Sequence, residues 1–209
     1  MESQFLKLIN RWMPRNQEAV RSWSRNERIR AMSYIFLNTA AIVLCAAFTV
    51  ISILLTLSGL RDFSNAIIAG AISTVIALLI LIYFVNTARL TASTTLFSTL
   101  FLVVCLVCVG VSGGPNSPLL PLLISAPIIA SVTGGRGEGL YYTGLILLLF
   151  YLLVFLNSMG FTFIQIMPPE NRDIQSGVTW TIALLLNATC LFVYQYCYEE
   201  GNKSPRSKN

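Results

Sequence analysis

The sequence predicts an all-α membrane protein, a bundle of six transmembrane helices with both termini cytoplasmic, preceded by a short basic amphipathic helix. Three observations predict it. Hydrophobic residues make up 55% of the 209-residue chain and charged ones only 11%, with a mean hydropathy of +0.70, whereas an ordinary soluble domain carries about a quarter charged residues. Apolar runs long enough to cross a hydrocarbon layer, roughly 20 residues at helical rise, recur along the chain. The cations then collect in alternate loops, as they do when a chain crosses a membrane repeatedly.

The chain divides into three parts. Residues 1–30 are a basic cytoplasmic segment in which Phe5, Leu8, Ile9 and Trp12 recur at helical spacing with Lys7 and Arg11 to the side. That pattern fits a helix lying on the inner leaflet, and it also fits a disordered basic arm that only enforces topology. The segment lacks the apolar core and small-residue cleavage site of a signal peptide. Residues 31–198 hold the six spans, near 33–57, 64–85, 92–111, 119–132, 140–156 and 177–196, each bounded by glycine, proline, asparagine or charge. The fourth is the shortest. All should be helical, because unpaired backbone groups in lipid cost several kcal/mol each and these runs lack the two-residue alternation of a barrel strand. Residues 199–209 form a polar cytoplasmic tail.

Orientation follows from the basic residues. Lys7, Arg11, Arg15, Arg21, Arg25, Arg28 and Arg30 precede the first span, Arg89 and Arg136 lie in alternate loops, and Lys203, Arg206 and Lys208 follow the last. Only Arg61 and Arg172 fall on the other side, so both ends are expected in the cytoplasm. A basic flank beside a first span has this topological explanation, and no nucleic-acid partner is expected. The lipid bilayer is the expected partner.

No catalytic constellation is visible. The chain has no histidine, and under this topology all nine carboxylates lie in loops or tails, which removes the intramembrane ionisable pairs that proton relays and ion-coupled pumps use. Cys105 and Cys108 form a CxxC among Leu and Val, without the cations or helix N-terminus that lower a thiol pKa. They read as small apolar packing residues, like Cys45, Cys190 and Cys197. A zinc site would need four thiolates from different spans, so no metal and no cofactor is expected. GGRGEG, residues 134–139, lacks the Lys-Ser/Thr of a nucleotide loop and reads as a tight cytoplasmic turn. Small residues four apart, Ala66, Gly70 and Thr74 beside Ala69, Ser73 and Ala77, read as a helix-packing face.

The densest interruption is 111–139, VSGGPNSPLLPLLISAPIIASVTGGRGEG. Proline removes a backbone donor and bends a helix, which at membrane depth is tolerated where the backbone is buried in protein or lines a cavity. Two readings stand side by side. One is a kinked helix sealed by its neighbours. The other is an outward-facing ligand pocket whose surface is Gly113, Gly114, Pro115, Asn116, Ser117 and Pro118, with Pro121, Ser125 and Pro127 opening the helix beneath and Trp180 near the outer interface. The segment 158–173 is too apolar for a free loop at Phe161, Phe163, Ile164, Ile166 and Met167, while Pro168 and Pro169 keep it from extending the next span. It is expected to cap the bundle mouth beside SGGPNSP.

Six spans with both ends inside, Gly113-Gly114 then Ser117-Pro118 after the third, Pro127 beyond, and a glycine-bounded turn before the fifth resemble the N-terminal membrane regions of bacterial sensor histidine kinases, diguanylate cyclases and class III adenylate cyclases, over residues 28–200. The resemblance implies a sensory or membrane-anchoring region of a bacterial inner membrane, usually dimeric, that perceives a membrane or extracytoplasmic signal and passes it to a cytoplasmic output domain. Such regions continue into a catalytic domain, whereas this sequence ends at EEGNKSPRSKN. The expectation is therefore a truncated sensor, or a region working through a separate signalling partner, and in neither case an enzyme. An anchor or assembly factor with a purely packing role fits the same residues. A small transporter or channel finds less support, because its nearest mid-depth polar candidates, Asn38, Ser73, Thr74, Thr143 and Asn187, are neutral and scattered.

Overall fold

The computed structural model describes residues 12–58, 64–163 and 172–203. Every regular element among them is helical: α1 (Gln17–Ser22), α2 (Arg25–Leu57), α3 (Ser64–Thr87), α4 (Leu90–Val111), α5 (Ser125–Gly134), α6 (Arg136–Ser158) and α7 (Arg172–Lys203), with short 3-10 turns at Gly114–Asn116 and Leu120–Ile124. Five helices are long and apolar enough to cross a membrane, as expected of a multi-pass membrane protein: Arg25–Leu57, Ile67–Thr87, Leu90–Gly110, Arg136–Ser158 and Ser176–Glu199. The apolar piece Leu120–Gly134 is shorter.

The helix ends differ from the apolar runs for a physical reason. Hydropathy marks only the part of a helix in hydrocarbon, and α2 already begins at Arg25, where Ser24 and Glu27 form a reciprocal capping box. The Ser24 amide donates to Glu27 Oε2 at 2.7 Å and the Glu27 amide donates to Ser24 Oγ at 3.3 Å. The polar first turns of α2, with Arg25, Glu27, Arg28 and Arg30, thus precede the membrane part of the same helix. α7 likewise runs past its apolar stretch to Lys203. Of the basic amphipathic helix expected near the N-terminus, Phe5, Leu8 and Ile9 lie outside the described residues. Trp12 lies in a turn, and the first described helix is the six-residue α1, capped by Asn16 Oδ1 accepting from the Ala19 amide at 3.1 Å.

The chain divides into two compact units, Met1–Phe97 and Ser98–Asn209, with the boundary inside α4. In the first, α2 and α3 pack as a helical hairpin. Their contact is dense toward the charged ends of the helices: Tyr34 and Phe84 are fully buried and meet edge to face at 5.0 Å, and Phe97 lies on Tyr34 at 5.9 Å. Buried Asn38, one turn after Tyr34, donates through Nδ2 to the Tyr34 hydroxyl at 3.1 Å and to the Ala77 carbonyl at 3.3 Å. The carbonyl partner fixes the amide orientation, because only the NH2 side can face an acceptor. The small-residue face of α3 works here as packing, with Ala77 buried against α2 and the Cβ position of Gly70 filled by the Thr49 side chain. Farther along α2, Val43, Leu44, Phe48, Ile51, Leu54 and Leu57 are exposed, as lipid-facing residues should be.

In the second unit the short elements are central. The 3-10 turn Leu120–Ile124 and α5 pack against each other and against α7, and α5 also packs along α6. Leu123, Ala126 and Ala130 from the short pieces join Leu102, Cys105 and Val109 of α4 and Tyr142 of α6 in one buried cluster. GGRGEG, expected to be a tight turn, is mostly helix: Gly134 ends α5 and Arg136–Gly139 open α6. Gly135 alone, at φ 98° and ψ 179°, separates α5 from α6.

Candidate functional site

The candidate site is built at the end of α4, where the chain needs two left-handed residues in succession. Gly113 (φ 118°) and Gly114 (φ 60°) supply them, a conformation costing a residue with a side chain about 1–2 kcal/mol. The turn that follows is hydrogen-bonded throughout. The Asn116 amide donates to the Gly113 carbonyl at 3.2 Å, the Ser117 amide to the Gly114 carbonyl at 3.0 Å and the Leu120 amide to the Ser117 carbonyl at 3.3 Å. Two serines clamp its base: Ser112 and Ser117 share a hydrogen bond between their hydroxyls, Ser112 Oγ donates to the Cys108 carbonyl at 2.6 Å, and Ser117 Oγ accepts from the Leu119 amide at 3.0 Å.

The prolines do something other than bend one long helix. Pro115 stands in the first turn of the 3-10 helix Gly114–Asn116, Pro121 in the first turn of the 3-10 helix Leu120–Ile124, and Pro127 in the first turn of α5. The first amides of any helical piece have no intrahelical acceptor, so proline loses nothing there. Pro115 and Pro121 thus stand at the start of their 3-10 pieces, where a missing N–H is harmless, whereas Pro127 is the third residue of α5, which follows Leu120–Ile124 without a break. Pro121 therefore opens a helical piece, while Pro127 stands within the continuous stretch Leu120–Gly134.

Of the residues placed at the candidate pocket, the structure brings nine together in this one segment. Gly113, Gly114, Ser117, Pro118, Pro121 and Ser125 are buried, Pro115 and Pro127 are half-buried, and Asn116 is exposed. Trp180 is exposed on α7. Phe163 covers the turn: a Cβ on Gly114 would lie 2.5 Å from its ring. Phe161 stacks edge to face on Phe163 at 5.1 Å, so the apolar connection after α6 does reach the SGGPNSP turn, as its composition predicts. Residues 164–171 of that connection lie outside the described residues. Ser125 Oγ is buried without a hydrogen-bond partner.

Two polar ties were not read from the sequence, although Asn38 was named there as a mid-depth polar residue. Tyr142, 1% exposed, shares a 2.6 Å hydrogen bond with Thr99, tying α6 to α4, and the Tyr34–Asn38 pair ties α2 to α3. Asn38 and Tyr34 stand four apart, which places them on one helical face, and that spacing was the available signal. Cys105 packs in the apolar cluster and Cys190 and Cys197 are buried. Among the described residues, no three His, Cys, Asp or Glu side chains stand close enough to hold a metal ion. No protein family, curated protein or solved structure matches the chain.

Proposed function

We propose that the chain is a six-span integral membrane protein of a bacterial inner membrane, with both termini cytoplasmic, acting without catalytic activity as a sensory region. It takes up a membrane or extracytoplasmic signal and passes it to a cytoplasmic output domain or partner, as a homodimer or with a separate signalling protein. One observation carries this reading. α7 packs against the interrupted segment and then continues as unbroken helix to Lys203, so a shift of that segment moves a rod that ends beyond the apolar stretch.

The fourth of these spans is Leu120–Gly134. Five 3-10 residues at about 2.0 Å and ten α residues at about 1.5 Å give about 25 Å, against roughly 30 Å of hydrocarbon. Local thinning of the bilayer accommodates such a difference. Reporter fusions at Arg89, Arg136 and Lys203 should then report cytoplasm and those at Asn65, Asn116 and Arg172 the outside. An external Lys203 would break this topology.

The signalling role is tested by fusing a reporter output domain after Lys203 and replacing residues 113–127 by alanine one at a time. Changed output at unchanged amounts of folded protein supports a sensor that responds to a small ligand or to the bilayer at this segment. The burial of Gly113, Gly114, Ser117, Pro118, Pro121 and Ser125 favours a second reading, an anchor or assembly factor whose interruption serves packing. Output that tracks the folded amount at every position would decide for it.

A further inference from the structure

We propose that Arg15, Arg21, Arg28 and Arg89 form a binding site for anionic phospholipid headgroups, built on the end of α3. The inference is independent of signalling and of which side the termini face.

The residues before α2 fold back onto α3. The Arg15 amide donates to the Val85 carbonyl at 3.2 Å, Pro14 is buried, and the Trp23 ring stacks on Phe84 at 6.1 Å with 23° between planes. The Arg28 guanidinium donates to the Arg21 carbonyl at 3.4 Å, which draws α1 and the start of α2 together. α3 stops at Ala88, whose φ of 56° turns the chain so that Arg89 follows four residues after Val85. The backbone thus brings four arginines, from the segment before α1, from α1, from α2 and from the turn after α3, to one helix end, and all four residues are exposed.

Charge and depth together select the occupant. Residues 12–30 hold five arginines and two glutamates, and Arg89 raises the local balance to +4. One of those glutamates, Glu27, is engaged in the capping box. Guanidinium groups match phosphate oxygens bidentately, and an excess of them at one helix end favours an anion. The cluster sits at the end of the apolar helix Ile67–Thr87, level with a headgroup layer, and half-buried Trp12, Trp23 and Tyr83 accompany it as aromatic residues do at a membrane interface. A phosphate at that depth is a lipid phosphate, and the attraction of juxtamembrane arginines to an anionic leaflet supplies the selectivity.

The test uses the full chain carrying Trp180→Phe, so that fluorescence comes from Trp12 and Trp23, in phosphatidylcholine vesicles with an equal minor fraction of brominated phosphatidylglycerol or brominated phosphatidylcholine. Brominated phosphatidylglycerol should quench about threefold more strongly or better. The preference should fall to parity with Arg15→Gln, Arg21→Gln, Arg28→Gln and Arg89→Gln combined, and should shrink with added salt in the parent protein, a measurement that needs no arginine variant to fold. Equal quenching by the two lipids overturns the proposal. So does a preference that survives the four substitutions, or one abolished by inorganic phosphate at constant ionic strength, which would mark a free-anion site.

Discussion

Helix α6 and the stretch in front of it, residues 112–134, are each 23 residues long and both largely apolar, yet they occupy opposite environments. Of α6 only Gly139 and Tyr142 are buried, and Leu147, Leu148, Tyr151 and Phe155 stand exposed. In 112–134 most residues are buried, including the polar Ser112, Ser117, Ser125 and Thr133. Side-chain hydrophobicity does not explain the difference. Backbone continuity does: a long helix satisfies its own peptide groups and tolerates lipid all along, whereas the left-handed break after α4 and the short 3-10 turns leave peptide groups that hydrocarbon cannot solvate. Within this unit the more interrupted element goes inside, packed by α4, α6 and α7.

The largest test of this contrast uses glycine. Gly114→Ala adds a Cβ against the Phe163 ring at a φ of 60°, and should destabilise the protein by about 2 kcal/mol or more. Gly144→Ala, on exposed α6 with open space around the new methyl, should stabilise it by about 0.5–1 kcal/mol, since glycine in a helix interior loses that much to alanine. Thermal unfolding in one detergent compares the two. Equal effects of one sign would remove the distinction between the regions.

A smaller effect separates two buried serines inside the interrupted segment. Ser117→Ala loses the hydroxyl that accepts from the Leu119 amide and pairs with Ser112, and should cost about 1–2 kcal/mol. Ser125→Ala removes a buried hydroxyl that has no partner, and should leave stability unchanged or slightly raised. A loss at Ser125 as large as that at Ser117 would mean that its hydroxyl is used.

The helices were legible in the sequence because an apolar run of about 20 residues has one solution in lipid. The expected run at 64–85 became Ser64–Thr87 and that at 92–111 became Leu90–Val111. What lay inside the bundle was not legible. In water, burial separates apolar from polar side chains, but in a membrane Leu148 on the outside and Leu123 in the core carry the same side chain, so composition holds no inside-outside signal. The interruption itself was visible from Gly113, Gly114, Pro115, Pro121 and Pro127. The harmless placement of Pro115 and Pro121 was not, because it depends on where each 3-10 piece begins.

The smallest expected effect lies at the charged end of α2, where the comparison is between polar and apolar turns of one helix. Hydrogen bonds from the Ser24 amide and hydroxyl hold the Glu27 carboxyl below its usual pKa of 4.5. A depressed carboxyl contributes stability at pH values above its ordinary pKa and loses it as pH falls through the lowered one. Fluorescence of Trp23, adjacent to Ser24, should therefore change as pH drops below about 4.5, while Glu27→Gln should largely remove that step. A pH-independent Trp23 signal in the parent protein would dissociate the cap from Glu27 ionisation.

The central claim, that the interrupted segment is enclosed by protein while the long helices face lipid, is tested most directly on the unmodified chain. A membrane-soluble carbene precursor, photolysed in reconstituted vesicles and followed by residue-level mass spectrometry, labels side chains in contact with lipid. Labelling should be strong at Leu44, Phe48, Leu148, Phe155, Leu184 and Phe192, which are exposed, and weak at Leu123, Ala126, Ile129 and Ala130, which are buried. Labelling of those four at the level of Leu148 and Leu184 would place the short helix against the bilayer and contradict the account.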